Sequence, residues 1–168
     1  MSIHSCITVF TRRFLPAVLL PLLLQSSSLP LVAQVQKVRL VVTVTGIRND
    51  KGHIAASLFD GEKGFPNDDA RAVAHQLGPI KDRTATITFD SLPPGNYGVA
   101  LLHDENKNNK MDSNRFGFPR EGYGVSNNPR PTRRRPRFTD ARFTVSQTSK
   151  EQSIAIKVVY LRLGDVLR

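Results

Sequence analysis

Val38, Leu40, Val42 and Val44 alternate with Arg39, Val41, Thr43 and Thr45. Successive side chains of an extended chain point to opposite faces, so this run carries one fully apolar face. The same beat returns through Ile54, Ala56 and Leu58, through Ala85, Ile87 and Phe89, and through Ile154, Ile156, Val158 and Tyr160. A chain built this way must bury sheet faces against each other. The first two runs are separated by Asn49, Asp50, Lys51 and Gly52, a turn sequence in which Gly52 can take positive φ, and they are expected to form a hairpin. Residues 60–69 read as a loop through Gly61, Gly64 and Pro66. Residues 70–77 suit either a helix or a short edge strand at Ala72, Val73 and Ala74. Leu92, Pro93, Pro94 and Gly95 form a tight turn, and residues 97–103 read as the next strand. Strand character resumes over residues 138–145 through Ala141, Phe143 and Val145. About seven strands, with no long amphipathic helix and no internal repeat, predict an all-β chain folded as a single antiparallel β-sandwich.

The N-terminus reads as an export signal. Arg12 and Arg13 precede an apolar core of 11 residues (14–24), and Ser26, Ser27, Ser28 and then Leu31, Val32, Ala33 supply small residues near a cleavage point. The apolar core falls short of the about 20 residues that a membrane-spanning helix needs, and Pro16 and Pro21 weaken it further. Cleavage is placed after Ala33, with a cut near Ser28 and an uncleaved anchor as the alternatives. Removing those 33 residues from 168 leaves 135, enough for one domain, residues 34–168, with a real core. The single cysteine, Cys6, lies in the leader, so the mature chain is expected to have no disulfide or thiol chemistry.

The formal charge is +10, and loss of the two leader arginines takes it to +8. Much of it is local, at Arg130, Arg133, Arg134, Arg135 and Arg137. Such a run suits anionic envelope polymers or lipid headgroups, or serves as a solvated loop. Nucleic acid is a poor fit, because export removes the chain from it and no aromatics interleave the arginines to stack bases.

Residues 103–115, HDENKNNKMDSNR, carry the sharpest motif. Asp104, Asn106, Asn108 and Asp112 fall at places one, three, five and nine of a calcium loop, with the Lys110 carbonyl at place seven. Short oxygen-bearing side chains at alternate positions can turn inward around one hard cation. Arg115 occupies the twelfth place, where a bidentate acid is usual, and no helices flank the loop, so it is not an EF-hand. Glu121 is a further ligand if the chain folds back. Lys107 and Lys110 should weaken affinity toward the extracellular range, a dissociation constant on the order of 10⁻⁴–10⁻³ M. The same residues equally suit a metal-free loop, since Asp and Asn side chains bond their own backbone. The loop opens a long segment, residues 104–136, rich in Asn, Gly, Pro and Arg; segments of that length are usually functional or disordered.

Catalysis has little to stand on. His103, Asp104 and Ser126 offer base, orienter and nucleophile, but neighbours on a strand face opposite ways and Ser126 sits in no nucleophile elbow. His53, His75 and His103 have no zinc-ligand spacing. Paired carboxylates for a glycosidase exist in Asp104, Asp112 and Glu121, but tryptophan is absent and sugar-binding aromatics are few. A ligand loop remains at Tyr123, Ser126, Asn127 and Asn128, where Tyr123 between two glycines either presents a ring or packs on the sandwich.

The order of motifs resembles an uncharacterised family of bacterial secreted proteins, domain of unknown function 2141. The resemblance rests on Gly46, Lys51 and Gly52 with the Leu58-Phe59 strand exit, LPPGNY at 92–97, HDENKNNKMD at 103–112 and GFPREGYGVSNN at 117–128. The LPPGNY turn alone is also similar to transthyretin-like and carboxypeptidase-regulatory-like sandwiches. Loops of this family usually read DxNxNGxxD; in this chain Asn109 stands in the glycine's place and must adopt left-handed geometry. The resemblance implies export and a transthyretin-like sandwich, and no activity. The expectation is a secreted or periplasmic, non-enzymatic binding or structural module with a calcium-stabilised loop. The alternative is a hydrolase using the carboxylates of residues 104–121.

Overall fold

Strand β1 (Val38–Thr45) buries Val38, Leu40, Val42 and Val44 and exposes Arg39, Thr43 and Thr45, as its alternation requires. The computed structural model describes residues 36–115, 117–131 and 134–161, all within the second of the chain's two units, Met1–Ala33 and Gln34–Arg168. The export signal expected over residues 1–33 lies outside the described residues, as does the Cys6 it contains.

Seven further strands follow: β2 (His53–Phe59), β3 (Ala74–Gly78), β4 (Ala85–Leu92), β5 (Gly95–Asp104), β6 (Gly122–Val125), β7 (Phe143–Val145) and β8 (Glu151–Lys157). One helical turn, α1 (Phe138–Ala141), and a 3-10 turn at Asp69–Arg71 are the described helical elements. The strands form a three-stranded sheet ordered β4-β1-β8 and a five-stranded sheet ordered β3-β2-β5-β6, with β7 also paired to β5. All pairs are antiparallel except β1–β8, which run parallel. The inner faces meet in one core, in which Leu40, Val42, Ile87 and Phe89 of the first sheet pack with Ile54, Leu58, Val99 and Leu101 of the second. This is the two-sheet sandwich that the repeated apolar faces called for.

Four local expectations change or are resolved. The β1–β2 hairpin does not form: β1 pairs with β4 and β8, and β2 with β3 and β5. Residues 46–52 instead carry the chain between the sheets. Gly46 (φ +76) opens this crossing and Gly52 (φ +74) closes it. Two strands facing each other across a core show the same alternation as two neighbours in one sheet, so period alone cannot choose between them. The ambiguous segment 70–77 resolves as an edge strand, displaced to Ala74–Gly78. Residues 138–141, expected as strand, form α1. Phe138 and Ala141 are buried three apart, and the Arg137 N–H donates to Asp140 Oδ2 at 3.1 Å. Strand β6 lies inside the segment expected to be irregular.

The outer face of the five-stranded sheet is only partly covered. At one end Phe59, Phe65 and Phe138 stack edge to face, with centroids 5.3 and 5.8 Å apart, over Ala100 and Val125. Residues 109–111 and 117–119 stand at the other end. Between them the face stays open. Among the described residues no helix is long and apolar enough to cross a membrane.

Candidate functional site

The end of β5 sets the geometry. Strand alternation turns His103 inward and Asp104 outward, and both are fully buried. His103 Nε2 meets the Lys51 carbonyl at 2.8 Å and so carries its hydrogen there, leaving Nδ1 to accept from the Tyr160 hydroxyl at 2.6 Å. That hydroxyl accepts in turn from the Arg48 N–H at 3.1 Å. The Arg48 guanidinium stacks 4.6 Å from the Tyr160 ring centroid and pairs with Glu105. The hydrogen bond from Arg48 holds the Glu105 carboxyl below its usual range. Burial pushes the Tyr160 phenol up. His103 is therefore a structural anchor for the chain's last described residues.

Asp104 organises the loop. Its Oδ1 accepts from the Asn108 N–H at 3.1 Å and its Oδ2 from the Asn109 N–H at 2.6 Å. Asn106 Oδ1 accepts from the Asn108 N–H (3.1 Å) and Asn108 Oδ1 from the Lys110 N–H (2.8 Å). The same two side chains donate Nδ2 hydrogens to Asp112, at 2.7 and 3.0 Å. Lys107 (φ +63) and Asn109 (φ +56) supply the left-handed turns, so asparagine does serve where the family's glycine would stand. Asp104, Asn106, Asn108 and Asp112 are brought together as their spacing proposed.

Glu121 arrives by a fold-back. The Arg120 N–H donates to the Asp112 carbonyl at 2.8 Å, and Ser113 bridges Pro119. This returns Glu121, only 4 % exposed, beneath the loop. Its Oε1 accepts the Glu105 N–H (2.9 Å) and its Oε2 the Asp112 N–H (3.1 Å), so one carboxylate holds both ends of the loop. The donors, all oxygen, fit a hard cation. To admit one, the amide hydrogens of Asn106 and Asn108 would have to leave the Asp112 carboxylate to which they donate. Among the described residues no three His, Cys, Asp or Glu side chains form a group that could hold a metal. Below the loop, His53 Nε2 lies 3.5 Å from Asp104 Oδ2 and has no hydrogen-bond partner.

Ser126 and Asn127 tie the fold together. The Ser126 hydroxyl accepts the Val99 N–H (3.0 Å) and donates to the Ala141 carbonyl (2.6 Å), and Asn127 Nδ2 donates to the Arg142 carbonyl (2.9 Å). No hydrogen bond among the described residues links Ser126 to His103 or Asp104. Tyr123 is half-buried on the outer face of β6, and burial pushes its phenol up.

The open outer face is a groove of about 1040 Å³, just above the roughly 300–1,000 Å³ usual for small-molecule sites. Its floor follows from register: Ala55 pairs with Leu77 and Leu102, and Leu102 with Tyr123. Met111 and Phe118 wall one end, and Arg134 and Arg135 line it as well. On the next row Ser57 donates to Asp69 at 2.7 Å and lies 3.2 Å from His75 Nδ1. A serine hydroxyl has one hydrogen, and that of Ser57 goes to the carboxylate, so His75 is the donor to Ser57. That order, with serine in the middle, differs from a hydrolytic triad, in which the imidazole stands between. Sequence reading missed this groove because its residues come from four strands and from separate segments outside them. Its faint signal was the small side chains Ala55, Ala100 and Gly124 at outward or neighbouring positions.

The profile of one family, described as an uncharacterized protein conserved in bacteria (DUF2141), matches residues 42–153. The chain belongs to this family. The match takes in the carboxylate-closed loop, Glu121 and every strand from β2 to β7, so this DUF2141 fold includes the whole groove floor. No curated protein and no solved structure matches the chain.

Proposed function

We propose that this DUF2141 protein is an exported, non-enzymatic binding module of the bacterial cell envelope. The outer face of the five-stranded sheet is its binding surface, and the 104–112 loop is a calcium-stabilised latch at one end. The groove carries this reading, since an open apolar sheet face flanked by cationic side chains is costly unless it is used. The leader with Arg12 and Arg13 supports export. The arginines of residues 130–137 suit anionic envelope polymers or lipid headgroups.

The binding surface is tested by amide-shift mapping with an extract of envelope lipids and polymers. Shifts should centre on Ala55, Ala100, Leu102 and Tyr123. Shifts confined to residues 130–137, or none at all, would overturn the assignment of the surface.

The latch is tested by calorimetry. Calcium should bind with a dissociation constant on the order of 10⁻⁴–10⁻³ M. At about 10 mM calcium, mass action then adds about 1.4–2.7 kcal/mol, a rise of several degrees in Tm. Asp112→Asn should abolish both heat and shift. Absence of both in the unmodified protein would make the latch metal-free, closed by the hydrogen bonds of Asp104, Asn106, Asn108 and Glu121.

A further inference from the structure

We infer that the groove binds a long-chain fatty carboxylate, with the chain on the floor of Ala55, Ala100 and Leu102 and the head at the cationic rim. This rests on reading the outer face as a binding surface and adds the class of ligand. Among the described residues three large hydrophobic side chains are exposed, and two of them, Leu77 (61 %) and Met111 (38 %), line this groove. Apolar surface gathered in one concavity favours an apolar occupant. The lining sets three cations, Lys110, Arg134 and Arg135, against one carboxylate, Asp69. That charge balance calls for an anionic end.

The chemistry narrows the occupant further. The floor is the face of a sheet, whose backbone groups are spent on its own ladders. A peptide laid there would find no partners for its own N–H and C=O groups, and burying them unpaired is costly. A polymethylene chain has no such groups. A nucleotide or sugar would also bring many polar groups onto a floor of Ala55, Ala100 and Leu102 whose side chains offer them no partner. Arg134 already leans on Asp140 at 3.7 Å, and Asp69 in the lining offsets one of the two remaining cations, Lys110 and Arg135, which leaves a net single positive charge for the head. A carboxylate fits that count better than a phosphate monoester.

The full chain, produced with its leader and purified, is titrated with palmitate below its micelle concentration. A fluorescent fatty-acid probe is displaced in parallel. Saturable one-to-one binding is expected. Hexadecanol, which has the chain without the charge, should bind at least about tenfold more weakly. The pair Lys110→Glu and Arg135→Glu should weaken palmitate by a similar factor, and Leu77→Lys, at an exposed position on the edge strand of the floor, should do so without moving Tm. Arg39→Glu, on the other sheet, should leave binding unchanged. Equal binding of palmitate and hexadecanol, tighter binding of a lysophosphatidate, or indifference to the rim and Leu77 variants would each overturn the ligand class. If palmitate fails while envelope extract still shifts Leu102 and Tyr123, the ligand class falls and the binding surface stands. If neither perturbs those residues, both fall.

Discussion

Glu121→Gln should lower the unfolding free energy by about 2–4 kcal/mol, with the loss concentrated at the loop it closes. Glu121 is buried and accepts one backbone N–H from each end of the loop, Glu105 and Asp112. A hydrogen bond to a charged group contributes about 1.5–3 kcal/mol, and a buried donor left unpaired costs about 1–3 kcal/mol. Glutamine keeps the shape but offers one oxygen. Its NH₂ must face the second backbone N–H, donor against donor. Glu121→Ala should cost at least as much, because both amides then lose their partner and a void opens under the loop. Chemical denaturation gives the total. Amide exchange locates it, since the Glu105 and Asp112 N–H groups should exchange far faster in the variant while Val42 and Val99 change only with global stability. A loss under about 0.5 kcal/mol, with both amides still protected, would mean that the loop closes through Asp104 and Asp112 without Glu121.

The same residue marks the boundary of what the sequence discloses. The inward turn of Asp104, Asn106, Asn108 and Asp112 was legible, because it depends on spacing within nine residues. The opposed facing of His103 and Asp104 was legible for the same reason, as strand alternation. Glu121 depended on whether residues 112–120 double back, and that is set by the Asp112–Arg120 and Ser113–Pro119 pairings. The core positions of β1, β2, β4 and β5 could be read directly, but not which strand neighbours which. Val42 needs an apolar face opposite it whether that face belongs to its own sheet or to the facing one. Strand β6 hid because two of its four residues are glycine, which carry no beat; Gly122 packs against Val158 and Tyr160, and Gly124 against Ile156. The groove was the least legible. Its floor is made of residues that alternation marks only as outward, and outward positions are ordinarily solvent.

Gly52→Ala should be the most disruptive of the small substitutions, costing about 3 kcal/mol or more. Gly52 sits at φ +74, where an L-residue is disfavoured by roughly 1–2 kcal/mol. A β-carbon there would lie 1.8 Å from the Asp104 carbonyl oxygen and 2.7 Å from the Glu105 Cα. Both obstacles are backbone, so no side chain can swing aside; β2 and β5 must part at the His53–Asp104 pair. The displacement would also pull the Lys51 carbonyl from His103 Nε2 and unsettle the buried carboxylate from which the loop is hung. Two other glycines separate these contributions. Gly46→Ala meets the same dihedral penalty at φ +76, but its nearest obstacles are the Val158 carbonyl at 2.8 Å and the movable Lys157 side chain at 2.9 Å. It should cost about 1–3 kcal/mol. Gly61→Ala has no positive φ and nothing within 4 Å, so it should change stability by no more than about 1 kcal/mol in either direction. Denaturation midpoints should rank the three Gly61→Ala, Gly46→Ala, Gly52→Ala from most to least stable. If Gly52→Ala proved no worse than Gly46→Ala, the close approach of the 46–52 crossing to the end of β5 would be wrong. The loop would then not be braced from that side.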